Sequence, residues 1–206
     1  MSIEDAEKTI RAHFLIRNRP GLPYSIKRGS RNNLAVVFQE LGYRKGAEIG
    51  VARGEFSELL CRINPNLHLI CIDPWETIPN LEEGAYKRKL VREYAETTAR
   101  LANYNCDIRK LTSQAAVVDI PDGSLDFVFI DGAHTFDDTM FDLLTWTKKV
   151  RPGGIVAGHD ICMAWRGVII AVEAYVRAHD IHSWYCTDEQ VPTYFWVQRP
   201  EYLLPS

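Results

Sequence analysis

Ile3, Ala6, Ile10 and Phe14 recur at the three- and four-residue spacing of a helix, behind Ser2 and Asp5 in a capping-box arrangement, so the chain opens on an amphipathic helix. The stretch NRPGLPYSIKRGS that follows reads as a loop. A second helix is predicted from about Arg31 to Leu41, closed by Gly42. The pattern then changes. AEIGV, Ala47 to Val51, is a short apolar run ending at glycine and reads as the first strand.

Beyond it, strand-like and helix-like segments alternate. LHLICID precedes a helical stretch from about Leu81 to Leu101; CDIRKL precedes SQAAVVDI; LDFVFID precedes a helix from about Thr135 to Val150; GGIVAGHD precedes a last helix through Val168 to Ala178. Such alternation specifies an α/β domain with a parallel sheet covered by helices on both faces. HSWYCT and TYFWVQ depart from it: two strand-like runs joined by a short polar link, they predict a C-terminal antiparallel hairpin. One domain is expected, with residues 1–45 as an N-terminal helical cap on a core of residues 46–206.

Composition narrows the function classes. A formal net charge of −3 with 25% charged residues lacks the positive excess of a nucleic-acid-binding surface. The basic run Lys87, Arg88, Lys89 and Arg92 is interleaved with Leu90, Val91 and Tyr94 at helical spacing, as on a solvated helix face. Five cysteines without CxxC spacing argue against a disulfide framework and for a reduced, cytoplasmic setting. No apolar run approaches the roughly 20 residues of a membrane span, so a soluble protein without a membrane partner is expected; a homo-oligomer is left open.

The candidate chemistry lies at the carboxyl ends of the strands, where ligands of open parallel sheets bind. In EIGVARGEF, Gly50 and Gly54 permit a tight turn and close approach of backbone to a ligand. Asp73, about 20 residues further on, is placed to hold the hydroxyls of a ribose. The loop is not the GxGxxG of dinucleotide sites, and Glu48 beside it would repel a pyrophosphate while favouring a ligand with positive ammonium and sulfonium groups. That description fits S-adenosylmethionine. A plain strand-to-helix turn, with Glu48 capping an amide and Asp73 forming a turn before Pro74, is the structural alternative.

Taken in order, AEIGVARGEF, CIDPW, LTSQAA, VFIDGAHTFDD and RPGGIVAGHD resemble the class I S-adenosylmethionine-dependent methyltransferases. The resemblance, over roughly Gly46 to Asp160, is to the small O-methyltransferase branch that includes catechol O-methyltransferase, macrolide sugar O-methyltransferases and cephalosporin-hydroxylase-like proteins. It implies a Rossmann-like, doubly wound, seven-stranded and mostly parallel sheet. It also implies S-adenosyl-L-methionine as cofactor, with Glu48, Gly50 and Gly54 at its methionine end, Asp73 on the ribose, and Ser113 and Gln114 on the adenine edge. Trp75 is expected either against the adenine or in the core, and Ser113 as a helix N-cap as well.

Asp131 ends LDFVFID, and His159 and Asp160 end GGIVAGHD; metal-dependent relatives place acids on these neighbouring strands, usually for magnesium. His159 replaces an acid, which favours manganese, zinc or iron over magnesium, and His159 and Asp160 can share an ion only if the strand has bent into a loop. Without a metal, Asp131 would orient cofactor or substrate. His134, three residues beyond Asp131, offers an imidazole suited to removing a proton from an acceptor hydroxyl, as the resemblance also implies for Asp-x-x-His. Tyr24, Lys27, Arg28 and the insertion from about Thr77 to Tyr104 are expected near the substrate. The acceptor is a small hydroxylated molecule of sugar or phenol type; a nicotinamide-dependent oxidoreductase and a non-catalytic nucleotide-binding module are the rival functions.

Overall fold

A computed structural model describes residues 2–16, 23–76 and 83–203. Eight strands form one sheet: β1 Tyr24–Ile26, β2 Lys45–Ile49, β3 His68–Ile72, β4 Cys106–Arg109, β5 Leu125–Ile130, β6 Val150–Gly158, β7 Trp184–Thr187 and β8 Tyr194–Val197. Their spatial order is β1-β7-β8-β6-β5-β2-β3-β4, and all pairings are parallel except those of β8 with β6 and β7. The antiparallel C-terminal hairpin is as the two strand-like runs predicted.

The helices are α1 Ile3–His13, α2 Arg31–Glu40, α3 Glu55–Ile63, α4 Glu83–Leu101, α5 Ser113–Ala116, α6 Phe136–Trp146 and α7 Arg166–Ala178. Local chemistry explains their starts. The Ser2 hydroxyl accepts from the Asp5 amide while Asp5 reaches back to Ser2, and Ser30, Thr112 and Thr135 cap α2, α5 and α6 in the same manner through the amides of Asn33, Ala115 and Asp138. Thr112, rather than Ser113, is therefore the cap of α5, which leaves the Ser113 hydroxyl free for another task.

Strand alternation divides the apolar residues between two cores. Phe127, Phe129, Ile155 and Ala157 face a layer with residues of α1, α2 and α3, whereas Val128, Ile130 and Val156 face residues of α5, α6 and α7. Phe38 of α2 stacks on Phe127 with ring centroids 4.1 Å apart. The N-terminal helices thus share a core with the sheet, and the segment read as a loop contributes the eighth strand. Tyr24, Ser25 and Ile26 pair with Tyr185, Cys186 and Thr187. Three residues flanked by proline and glycine carry no readable period; the exposed edge of β7 makes them a strand.

The topology reverses between β2 and β5. The chain builds β3 and β4 outward from β2 and then returns on the other side, so the loops after β2 and β5 diverge and open a crevice. Gly50 sits at that divergence with φ +88°, and a Cβ there would lie 2.0 Å from the carbonyl oxygen of Asp131. No rotamer relieves a clash of Cβ with backbone. Gly50→Ala is expected to cost at least about 2 kcal/mol, from the left-handed backbone and the overpacking together, measured as a fall in the urea midpoint at unchanged m.

Candidate active site

The loop after β2 is organised by one carboxylate. Asp73, just beyond β3, accepts through Oδ2 from the amides of Val51 (3.1 Å) and Ala52 (3.0 Å) and through Oδ1 from the amide of Trp75 (2.8 Å). Ala52 is left-handed at φ +48°, a strained state for a residue with a Cβ. Its carbonyl accepts from the Trp75 indole and from the Thr97 hydroxyl of α4, both at 2.8 Å, which over-determine the turn. Gly54 closes it at φ +72° as the residue before α3, with its amide 2.8 Å from the Val51 carbonyl. A carboxylate holding three amides still has lone-pair capacity for a ligand hydroxyl.

Glu48 points from β2 into the layer beneath this loop. It is 2% exposed and accepts a hydrogen bond from Ser57 of α3. Burial pushes its carboxyl up to about 8, against the opposing effect of Ser57, and the nearby charge of Asp131 adds to the rise. A cationic ligand brought alongside would restore the ionised form.

Asp131 follows β5, and around it gather His134, His159, Asp160 and Arg31. His134 Nε2 is 2.6 Å from Asp160 Oδ2 and 3.9 Å from Asp131 Oδ1; His159 Nδ1 is 3.7 Å from Asp131 Oδ1 and 3.5 Å from Asp160 Oδ2. Asp160 adopts φ +62°, so the chain has turned out of the strand where His159 and Asp160 must bend to face one point. Single ligand atoms of Asp131, His134 and Asp160 lie within 4.8 Å of one another. This close group has His134 where His159 was expected; His159 stands further off, 3.7 and 3.5 Å from the same two carboxylates. Asp131 and Asp160 together raise His134 to about 9. Burial raises Asp131; it also opposes the charge on Asp160, yet hydrogen bonding to His134 and His159 holds Asp160 well below the usual carboxylate range. The His134 ring stacks on Trp165 at 4.3 Å between centroids.

At the far end of the crevice the Trp146 indole donates to Ser113 Oγ at 2.7 Å, and the Ser113 hydroxyl donates to Asp142. Asp142 is 3% exposed, and its carboxyl is pushed up to about 7 by burial in spite of Ser113. The crevice encloses about 700 Å³, and Glu48, Gly50, Asp73, Ser113, Gln114, Asp131 and His134 line it with Arg31, Asp138 and Asp142. Gly54 and Trp75 stand behind the lining: Gly54 shapes the turn, and Trp75 is a core residue packed against Tyr94 at 4.9 Å between centroids.

Tyr24, Lys27 and Arg28 do not reach the crevice. Tyr24 is in β1, while the Arg28 amide and the Lys27 ammonium meet Asp188 beyond β7, at 2.6 and 3.8 Å. The residue of this region that does reach it is Arg31, whose guanidinium is 3.4 Å from Asp131 Oδ2. Of the insertion, residues 77–82 lie outside the described residues; Lys89, Leu90 and Glu93 of α4 line the crevice. Arg31 and Asp142 escaped the sequence reading. Asp142 left one signal, an acid on the apolar face of α6 four residues before Trp146; Arg31 left none, since only the packing of α2 beside β5 gives it a role.

The raised carboxyl of Glu48 has a measurable consequence. Between its ordinary value of 4.5 and about 8 the folded chain holds a proton that the unfolded chain has lost, so this residue's contribution to stability falls as pH rises through that window. Glu48→Gln, which does not titrate, should gain roughly 4 kcal/mol relative to wild type between pH 5 and pH 8.5, read from urea melts at the two pH values.

Comparison with known proteins agrees with this geometry. Residues 47–161 match the model of a methyltransferase domain family. Among solved structures, the O-methyltransferase TomG of Streptomyces achromogenes, involved in tomaymycin synthesis and crystallised with SAM, is similar at 16% identity, with 96% of this chain and 89% of that one covered and a TM-score of 0.59. An O-methyltransferase of Bacillus cereus in complex with SAH gives 14% identity, 95% and 90% coverage and a TM-score of 0.60. Spermidine synthase of Thermotoga maritima shares the fold at 10% identity and a TM-score of 0.55, with 80% of this chain and 57% of that one covered. An uncharacterized protein of Sinorhizobium fredii, y4gI, is 27% identical over 89 residues, which take in 43% of this chain and only 10% of that protein's length. With the family model spanning more than half of its residues and the strand order and crevice to match, the chain belongs to the methyltransferase domain family.

Proposed function

We propose that the protein is an S-adenosylmethionine-dependent O-methyltransferase acting on a small hydroxylated acceptor, a sugar or phenol in type, with a divalent cation at the Asp131 cluster as an aid. The observation that carries the reading is the acidity of the crevice. Glu48, Asp73, Asp131, Asp138 and Asp142 line it, and Glu48 is buried beside the glycine loop where a dinucleotide would need its pyrophosphate. A cofactor with a sulfonium and an ammonium gains from those charges, whereas a pyrophosphate meets repulsion. S-adenosylmethionine supplies an electrophilic methyl group, and SAM and SAH occupy the TomG and Bacillus cereus structures.

In this reading the loop held by Asp73 receives the nucleoside, and Glu48 faces the methionine end. The acceptor hydroxyl lies towards Asp131 and His134. In its neutral form, which gains as pH rises towards about 9, His134 takes the proton at Nε2, and Asp160 stabilises the imidazolium that results. Arg31 keeps Asp131 turned towards the crevice. Asp131, Asp160 and His159, whose Nδ1 lies 3.7 and 3.5 Å from the two carboxylates, would hold a divalent cation and leave His134 as the base, and the imidazole favours manganese, zinc or iron over magnesium. Such an ion would supply Lewis acidity that lowers the pKa of the hydroxyl.

Calorimetric titration with S-adenosylhomocysteine, NAD and NADP tests the cofactor: binding of the first alone is expected, and tight binding of a nicotinamide cofactor with no response to S-adenosylhomocysteine would sink the proposal. His134→Gln should lower kcat on a suitable acceptor by about 10² to 10⁴ with cofactor affinity little changed. EDTA should suppress turnover and manganese restore it at least as well as magnesium; full activity in EDTA would leave a metal-free mechanism with His134 as base.

A further inference from the structure

The proposed reaction uses the crevice from Glu48 to His134 but gives no work to the buried acid at its other end. We infer that Asp142 recognises the exocyclic amino group of the cofactor's adenine, its Oδ2 accepting one of the amino hydrogens. The inference rests on the S-adenosylmethionine reading and on an acceptor oxygen of Asp142 at the crevice that receives no hydrogen bond from the described residues.

A carboxylate offers about four acceptor positions, and that of Asp142, although the residue is 3% exposed, lines the crevice. Among the described residues Asp142 receives one hydrogen bond, from Ser113 to Oδ1. Its Oδ2 lies beside Gly132, 3.7 Å from where a Cβ would stand, on the wall of the crevice. Burial pushes the carboxyl up to about 7, against the hydrogen bond from Ser113, and the charge of Asp138 adds to the rise. A ligand that brings a donor to Oδ2 relieves the cost of that burial.

Position selects the ligand group. Asp73 marks the ribose side of the crevice, and Thr112, Ser113 and Gln114 line it one strand further out, where a base attached to that ribose extends. The planar edge of adenine carries its amino group there, and Asp142 of α6 stands beside Ser113, to which it is hydrogen-bonded. The direction of the hydrogen bonds is also determined. An indole nitrogen only donates and a carboxylate only accepts, so Ser113 Oγ accepts from Trp146 and turns its own hydrogen to Asp142 Oδ1. Oδ1 is thereby committed as an acceptor and Oδ2 is the atom left for the ligand.

That directionality makes the substitution informative. In Asp142→Asn, a Ser113 hydroxyl that keeps its donor role holds the amide oxygen at the Oδ1 position and turns the amide nitrogen to the crevice. It would oppose the amino group of adenine and suit a 6-oxo group. Wild type and variant would be titrated with S-adenosylhomocysteine and with its 6-oxo analogue S-inosylhomocysteine. Wild type should bind the adenine form at least about tenfold more tightly, and Asp142→Asn should narrow that ratio at least about tenfold or invert it, with its melting temperature close to wild type. Asp142→Ala, the second arm should the first variant not fold, should lose the preference without acquiring the opposite one. An unchanged ratio in either folded variant overturns the assignment of Asp142. A wild type that binds neither nucleoside overturns the cofactor reading itself, and the inference with it.

Discussion

The close approach of Gly50 to the backbone at Asp131 sets the geometry on which the rest of the site depends. β2 and β5 pair in parallel through Gly46 to Ile49, and the next residues of each strand must separate within the space of one missing Cβ. Because the main chains touch there, the glycine loop and the Asp131 cluster open from a common point, and a ligand lying across the switch point meets both. The Asp131 amide donates to the Ile49 carbonyl at 2.7 Å, and the Gly50 amide to that of Ile72 at 2.8 Å, so the divergence begins from a fully paired ladder. Asp73 then holds the freed loop by three amides. These are charge-assisted bonds to a carboxylate, each stronger than its neutral counterpart, and they offset the strain at Ala52 and at Trp75, which is left-handed at φ +42°.

The crevice concentrates groups that a stable core would exclude. Glu48, Asp131 and Asp142 are all carboxyls raised by burial, and Glu48 and Asp131 raise each other's cost of ionisation through like charge. Each has a neighbour that limits the penalty: Ser57 for Glu48, His134 for Asp131, Ser113 for Asp142. None is fully compensated. A pocket of under-satisfied acids is a poor way to stabilise a fold and a good way to hold a ligand carrying positive charge and hydrogen-bond donors, which is why the polarity of the crevice weighs more in the functional reading than the fold does. The fold is shared with a spermidine synthase as well as with O-methyltransferases.

The N-terminal segment has a structural role. β1 lengthens the sheet beyond β7, and the turn after β7 ties it down: Asp188 accepts from the Arg28 amide, and Glu189 accepts from the Arg31 amide as well as from the hydroxyls of Thr187 and Thr193. The start of α2 is fixed by these contacts at the two ends of the chain, and Arg31 is delivered to Asp131 from that point. The Asp131 end of the crevice is therefore supported by residues that are distant in sequence from every motif around it.

By itself the sequence determined the alternation of strands and helices, the capped helix starts, the C-terminal hairpin and the two places where chemistry gathers. Those features follow from local physics: the period of apolar residues, the turn preference of glycine, the demand of helix ends for a side-chain acceptor. It did not determine the eighth strand, because Tyr24 to Ile26 are extended only against the edge of β7. Nor did it separate residues that line the crevice from those behind it. Gly54, Trp75 and Asp73 belong to one short run of motifs, yet Gly54 shapes a turn, Trp75 packs in the core and only Asp73 faces the ligand space. Arg31 and Asp142 entered the site because α2 packs beside β5 and α6 crosses behind Ser113. Such encounters between distant segments are decided by how the layers pack, and no local pattern in the chain records them.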